Sequence, residues 1–152
     1  MKANLTSYLS HYDTLVARLQ AGLIPLLLLL CRLWVGYVFF NSGLTKIATW
    51  DSTLYLFEFE YQVPLLPWQL AAYLGTATEL ILPVFIVFGL FTRPMAAILF
   101  VFNIIAVVSY PVLWSGGFFD HQLWGLLILM VLVWGAGPIS GDRLLRARLT
   151  NQ

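Results

Sequence analysis

LIPLLLLLCRLWVGYVFFNSG, residues 23–43, is an apolar run broken near its middle by one charge, Arg32. A helix of about 20 apolar residues crosses the roughly 30 Å hydrocarbon layer of a bilayer. A charge at that depth is rare, and it faces a partner or a cavity. Two further runs repeat the pattern: residues 69–90 carry Glu79 and residues 94–114 carry Asn103. A fourth run, residues 121–138, has only Leu127, Ile128 and Leu129 at that level. The predicted fold class is all-α, a four-transmembrane-helix bundle in a single domain over residues 1–152.

Composition agrees. Of 152 residues 61% are hydrophobic and 10% charged, and the mean hydropathy is +0.86. A soluble domain carries about a quarter charged residues, so the lipid bilayer is the expected solvent. A net charge of +1 and scattered basic residues exclude nucleic acid as a partner. Cys31 has no second cysteine to bond and reads as a packing residue, and His11 and His121 lie far apart. No spacing of ligands points to a metal site. The first apolar run lacks a small-residue cleavage pattern and reads as a retained helix, not a signal peptide.

Around the spans, residues 1–22 set Leu5, Tyr8, Leu9, Tyr12, Leu15, Val16 and Leu19 on one stripe. This predicts an N-terminal amphipathic helix lying in the membrane interface. In the long loop, about residues 44–68, Trp50, Leu54, Phe57 and Tyr61 recur at helical spacing, with Thr49 or Asp51 placed to cap. A short helix resting on the outer surface follows, readable as a lid or as a lipid-facing anchor. Pro83 and Pro111 fall inside spans and predict kinks or a local break. Trp50, Trp68, Trp114 and Trp124 gather near the outer ends, as an aromatic belt does. Lys2, Arg18, Arg93, Arg143, Arg146 and Arg148 share one side, against Lys46 alone on the other. By the bias of basic residues toward cytoplasmic loops, both termini are expected in the cytoplasm.

The helical rise places Arg32, Glu79 and Asn103 each about 14 to 16 Å from the inner ends of their spans. The reading that leaves fewest unpaired charges is an Arg32–Glu79 ion pair, with Asn103 bonded to its free edges. Gly36, Gly43, Gly75, Ala96 and Ala106 lie on the same faces, so the first three spans are expected to share an interface. Two readings stay open: a staple that fixes helix register, or a site that binds or moves a proton, quinone or small anion. Near the outer ends a second polar set, Asn41, Ser42, Lys46, Gln69, Tyr73, Ser109, Tyr110, His121 and Gln122, comes from all four spans. It suggests a cavity opening outward beneath the loop, with Lys46 its one basic member.

Three stretches together resemble the DoxX family of small four-helix bacterial membrane proteins: CRLWVGYVFFNSGLTKI, TELILPVFIVFGLFTRP and GAGPISGDRLL. The residues carrying the likeness are Arg32, Gly36, Gly43, Lys46, Glu79, Gly89 and Arg93, with the run from Gly135 to Leu145. The resemblance implies a bacterial inner (cytoplasmic) membrane protein. It also implies kinship with subunits of thiosulfate:quinone oxidoreductase or of membrane oxidoreductase assemblies linked to thiol and oxidative stress. The expectation is an accessory or anchoring subunit with quinone as candidate ligand and a partner redox protein, membrane-bound, periplasmic or cytoplasmic, carrying the redox centre. A homo-oligomer is the other association considered. The rival readings are a small oligomeric transporter for a proton-coupled solute or anion, and a structural scaffold alone.

Overall fold

The computed structural model describes the backbone of residues 2–150 and the side chains of residues 8–150. Its elements are α1 (Lys2–Ala48), α2 (Trp50–Phe59), α3 (Trp68–Phe88), α4 (Thr92–Ser109), α5 (Val112–Gly116), α6 (Phe119–Trp134) and α7 (Gly141–Thr150). No strand occurs among the described residues. Three helices are long and apolar enough to cross a bilayer, and α6 is apolar but shorter.

The breaks follow backbone chemistry. α3 starts after Pro67 and ends at Gly89, whose φ of +66° supplies the left-handed cap, with Gly89 N–H on Ile86 O and Leu90 N–H on Phe85 O. Pro83 sits inside α3 without ending it. Pro111 does end a helix, as expected of a break: α4 stops at Ser109, short of the expected residue 114, and the chain restarts as α5. The last apolar helix runs Phe119–Trp134, where a span over 121–138 was expected, and Gly135 at φ +80° turns the chain toward α7, an element the apolar pattern did not reveal.

The expected separate interfacial helix at the N-terminus is corrected. Residues 2–22 form the first half of α1, continuous through Pro25. From Tyr8 to Ile24 the side chains are exposed apart from half-buried Val16, and burial begins in earnest at Leu28. The helix is about 70 Å long, more than twice a hydrocarbon layer, so its first half projects beyond the bundle.

α1 packs on α3 and α6, and α4 packs on the same two, closing a ring of four helices. The expected interface among the first three spans therefore holds for α1–α3 and α3–α4, while α6 stands where α1 and α4 would have met. The core joins Val35 and Phe39 of α1, Leu82 and Ile86 of α3, Ala96 and Leu99 of α4, and Ile128 and Val131 of α6. Lipid gives little hydrophobic drive between helices, so close approach at small residues matters more. At Gly43 a Cβ would stand 2.8 Å from Leu80, and at Gly36 it would collide with Val87. These two contacts set the antiparallel register of α1 against α3.

Candidate functional site

The end of the bundle that carries α2, the lid end, holds a buried ion pair different from the one expected. Glu79 lies about 16 Å along α3 from Trp68. Its carboxylate accepts from Lys46 Nζ at 2.7 and 2.9 Å and from Ser42 Oγ at 3.2 Å, and Lys46 also reaches Ser42 Oγ at 2.9 Å. Lys46 is in the last turn of α1, and its side chain runs back along the helix to meet the carboxylate. The charges are nearly buried, with side-chain exposures of 19% and 8%. A buried pair offsets its desolvation only when its hydrogen bonds are also satisfied, and Ser42 supplies that third corner.

Beside the pair lies a cavity of about 550 Å³. Its walls are mainly apolar, including Val38, Phe39, Leu74, Phe102, Ile105 and Trp124, with Asn41, Ser42, Thr45, Lys46, Thr78, Glu79 and His121 as polar positions. Drug-sized ligands occupy chambers of about 300–1,000 Å³ lined in this way. α2 lies at this end with Thr53 and Phe57 buried, and Phe57 forms part of the cavity wall. Thr53 Oγ1 donates to Lys46 O at 3.0 Å, and Gln62 N–H donates to Ser109 O at 2.7 Å. Tyr110 Oη donates to Glu60 at 3.2 Å, and its ring meets Tyr61 edge-on. The loop helix is thus tied to the ends of both α1 and α4. Thr49 takes the cap position of α2, but its hydroxyl bonds Thr45 O instead. Burial, with Tyr110, Glu79 and Glu60 nearby, pushes the Tyr61 phenol up to about 12, so it stays a neutral donor.

Asn103 forms its own pair. Its amide nitrogen donates to His121 O at 3.0 Å, and its amide oxygen lies 2.9 Å from His121 Nδ1. The backbone carbonyl can only accept, so it fixes the amide orientation. The amide oxygen then requires a hydrogen on Nδ1, which leaves Nε2 of the neutral ring as an acceptor. Trp124 holds the ring edge-on, with centroids 4.7 Å apart. Trp124 faces inward here and is not part of a belt.

Arg32 sits at the opposite end, the turn end, about 15 Å from the Glu79 layer. It is 1% exposed, and its guanidinium donates through Nη2 to Ile139 O. Nε and Nη1 have no acceptor among the described residues. Gly89 backs directly onto it, leaving no room for a Cβ. Asp142, near enough to act on Arg32 electrostatically, accepts from Phe91 N–H at 2.7 Å and Thr92 N–H at 3.0 Å, and its own N–H donates to Gly89 O at 2.8 Å. Thus α7 caps α4 from outside, where α4 has no side-chain cap of its own.

The expected Arg32–Glu79 pair with Asn103 attached is therefore overturned: all three side chains are buried, but each has different partners. The layer count failed because α1 does not begin at Leu23, so distance from that residue gave no depth. Of the outer set, Asn41, Ser42, Lys46, Ser109, Tyr110 and His121 line the cavity; Gln69, Tyr73 and Gln122 do not, Tyr73 being exposed and tilted against Trp50. Tyr61, Thr45 and Thr78 were missed as lining residues. Tyr61 was signalled by its place on the stripe with Trp50, Leu54 and Phe57, and Thr45 by its position beside Lys46, whereas Thr78 had no mark in an apolar span. Among the described residues no three His, Cys, Asp or Glu side chains gather as metal ligands.

Comparison with known proteins gives two matches. The family model described as DoxX matches residues 27–111, a stretch that holds Arg32, Lys46, Glu79, Asn103 and Tyr110. A protein of Haemophilus influenzae described as uncharacterized is 27% identical over 130 residues, covering 78% of this chain and 83% of its own length. No solved structure matches.

Proposed function

Because the chain belongs to the DoxX family of membrane proteins, we propose that it is a bacterial inner-membrane subunit that binds a quinone-like amphipath for a redox assembly. The observation carrying this is the pairing of a mainly apolar chamber of about 550 Å³ with the Lys46–Glu79 ion pair on its wall. On this reading α6 completes a four-span bundle. The turn end, with Arg93, Arg143, Arg146 and Arg148, faces the cytoplasm, and the lid end faces the periplasm.

The donor set fits a quinone head. Lys46 and the Tyr61 phenol can donate to a ring carbonyl, and His121 Nε2 and Glu79 can accept from a ring hydroxyl. When bound, a quinone supplies two-electron, two-proton redox chemistry within the bilayer. The chain's own part is to orient the head, to keep water out beneath α2, and to hold or take a proton at Glu79 or His121. Cys31 is buried and has no second cysteine, so electrons reach the site through a partner protein that carries the redox centre.

Organic extraction of the detergent-purified protein, with mass spectrometry, should recover quinone. A short-chain ubiquinone should quench tryptophan fluorescence saturably. Lys46→Ala combined with Glu79→Gln should weaken that binding about tenfold, the worth of one charge-assisted hydrogen bond. Extracts free of quinone together with unsaturable quenching would overturn the proposal.

A further inference from the structure

A second space of about 550 Å³ lies between α4 and α6 on the outside of the bundle, lined by Ile104, Val107, Val108, Leu126 and Leu129, with Asn103 and His121 at its inner wall. Ile104, Val108, Leu126 and Leu129 are exposed, so the groove faces lipid. His121 lines both this groove and the chamber. We propose that the groove holds the hydrocarbon tail of the chamber's ligand and is its path in from the bilayer, with the Asn103–His121 hydrogen bonds as the gate. The inference rests on the reading of the chamber as a site for a bilayer-dissolved amphipath, and it adds how such a molecule lies and enters.

Three observations support this route over the others. α2 and the segment after it are tied down at the lid end by bonds to both α1 and α4 and by the Tyr61–Tyr110 contact. The groove between α1 and α3 is smaller, about 270 Å³. That helix pair is also locked by Gly36 against Val87 and Gly43 against Leu80. Between α4 and α6, Gly125 presents no side chain where Asn103 crosses, at 3.2 Å from the place a Cβ would take. His121, the residue common to groove and chamber, is held there by Asn103 through its backbone carbonyl and its ring Nδ1. Turning that single ring releases the Nδ1 contact while the bond from Asn103 to the His121 carbonyl stays in place, so the change asks for no movement of a helix. The occupant this shape selects has a hydrogen-bonding ring head and a linear hydrocarbon tail.

The full chain in nanodiscs is titrated with a tailless benzoquinone head and with the same head carrying isoprenoid tails. Leu126→Trp, which fills the groove from its lipid side, should leave the affinity for the tailless head unchanged. It should weaken the tailed homologue about tenfold, the equivalent of roughly two buried methylenes, and slow its association. Val108→Trp, on the facing helix, should repeat the effect, and the unchanged tailless affinity shows that both variants are folded. Val84→Trp, in the α1–α3 groove, should change neither ligand. Equal binding of the tailed homologue to Leu126→Trp, Val108→Trp and the native chain would overturn the inference, as would loss of tail dependence in Val84→Trp alone. A native chain that binds neither ligand overturns the reading of the chamber and the groove together, a result distinct from altered tail dependence.

Discussion

Two cations lie on one face of α1, Arg32 buried and Lys46 half-buried, and the ends of the bundle treat them differently. At the turn end, Arg32 is enclosed by protein: Ile139 O accepts from it, Gly89 backs onto it, and Asp142 on α7 lies near enough to act on its charge. No cavity adjoins it among those described. At the lid end, Lys46 pairs with Glu79 beside an open chamber. The lesson is that burial of a charge does not distinguish a structural role from a functional one. What distinguishes them is whether space for another molecule remains next to the charge. The turn end spends its polar groups on joining α1, the α3–α4 turn and α7, and the lid end keeps some facing a void.

If the turn end is structural, crowding it should cost the most stability. Gly89→Ala places a Cβ against the guanidinium, 2.6 Å from Ser140 Cβ and 3.0 Å from Ala136 Cβ, at a φ of +66° that side chains disfavour. Backbone strain and overpacking together should destabilise by about 3–5 kcal/mol. Thermal unfolding in detergent measures this. A native-like melting temperature would mean that the turn end yields easily, and the contrast with the lid end would fail.

A pair of double-mutant cycles sharpens the comparison at the next level of magnitude. Lys46→Met and Glu79→Leu should be non-additive, with a coupling of about 1–3 kcal/mol, because either change alone strands a charge. Arg32→Leu and Glu79→Leu should simply add, since the two side chains lie in different layers. Chemical denaturation in mixed micelles reads both cycles. Coupling between Arg32 and Glu79 would show that the two ends are not independent.

These cycles also mark what was legible in the sequence. The all-helical bundle, the short helix after α1 and a cavity beside it match what the length of the apolar runs, the stripe through Trp50, Leu54 and Phe57, and the polar ends of the spans predicted. The partner of Glu79 did not. Arg32 and Lys46 are fourteen positions apart on α1, about four turns, so both point toward α3 and either satisfies the charge count. Only register decides between them, and register is set by how Gly36 fits Val87 and Gly43 fits Leu80. Such fitting is a property of shape and leaves no mark in hydropathy. Asp142 was hidden for a similar reason: its role is to cap a helix fifty residues earlier in the chain, and local spacing carries no sign of that.

The smallest effect tests whether the turn end is held by charge as well as by fit. Burial works to raise the Asp142 carboxyl, but hydrogen bonds from Thr92 and Phe91 and the charge of Arg146 outweigh it and leave the group below its ordinary value. A carboxylate depressed in the folded state adds stability that is fully present above the unfolded value. That stability is lost as the pH falls through the folded one. Asp142→Asn keeps one acceptor for the Phe91 and Thr92 amides but no charge, so it should lower stability by about 1 kcal/mol at neutral pH, within the range for helix caps. It should also narrow its deficit against the native chain as the pH drops below about 4, the ordinary aspartate value. Melting curves of both proteins from pH 7 to pH 3 decide this, because Glu79 and the other carboxylates titrate in each and cancel in the difference. A deficit that stays constant with pH would mean that the cap acts through shape alone. The turn end would then owe its rigidity to Gly89 and the backbone, and Arg32 would lack the anionic counterpart that separates its setting from that of Lys46.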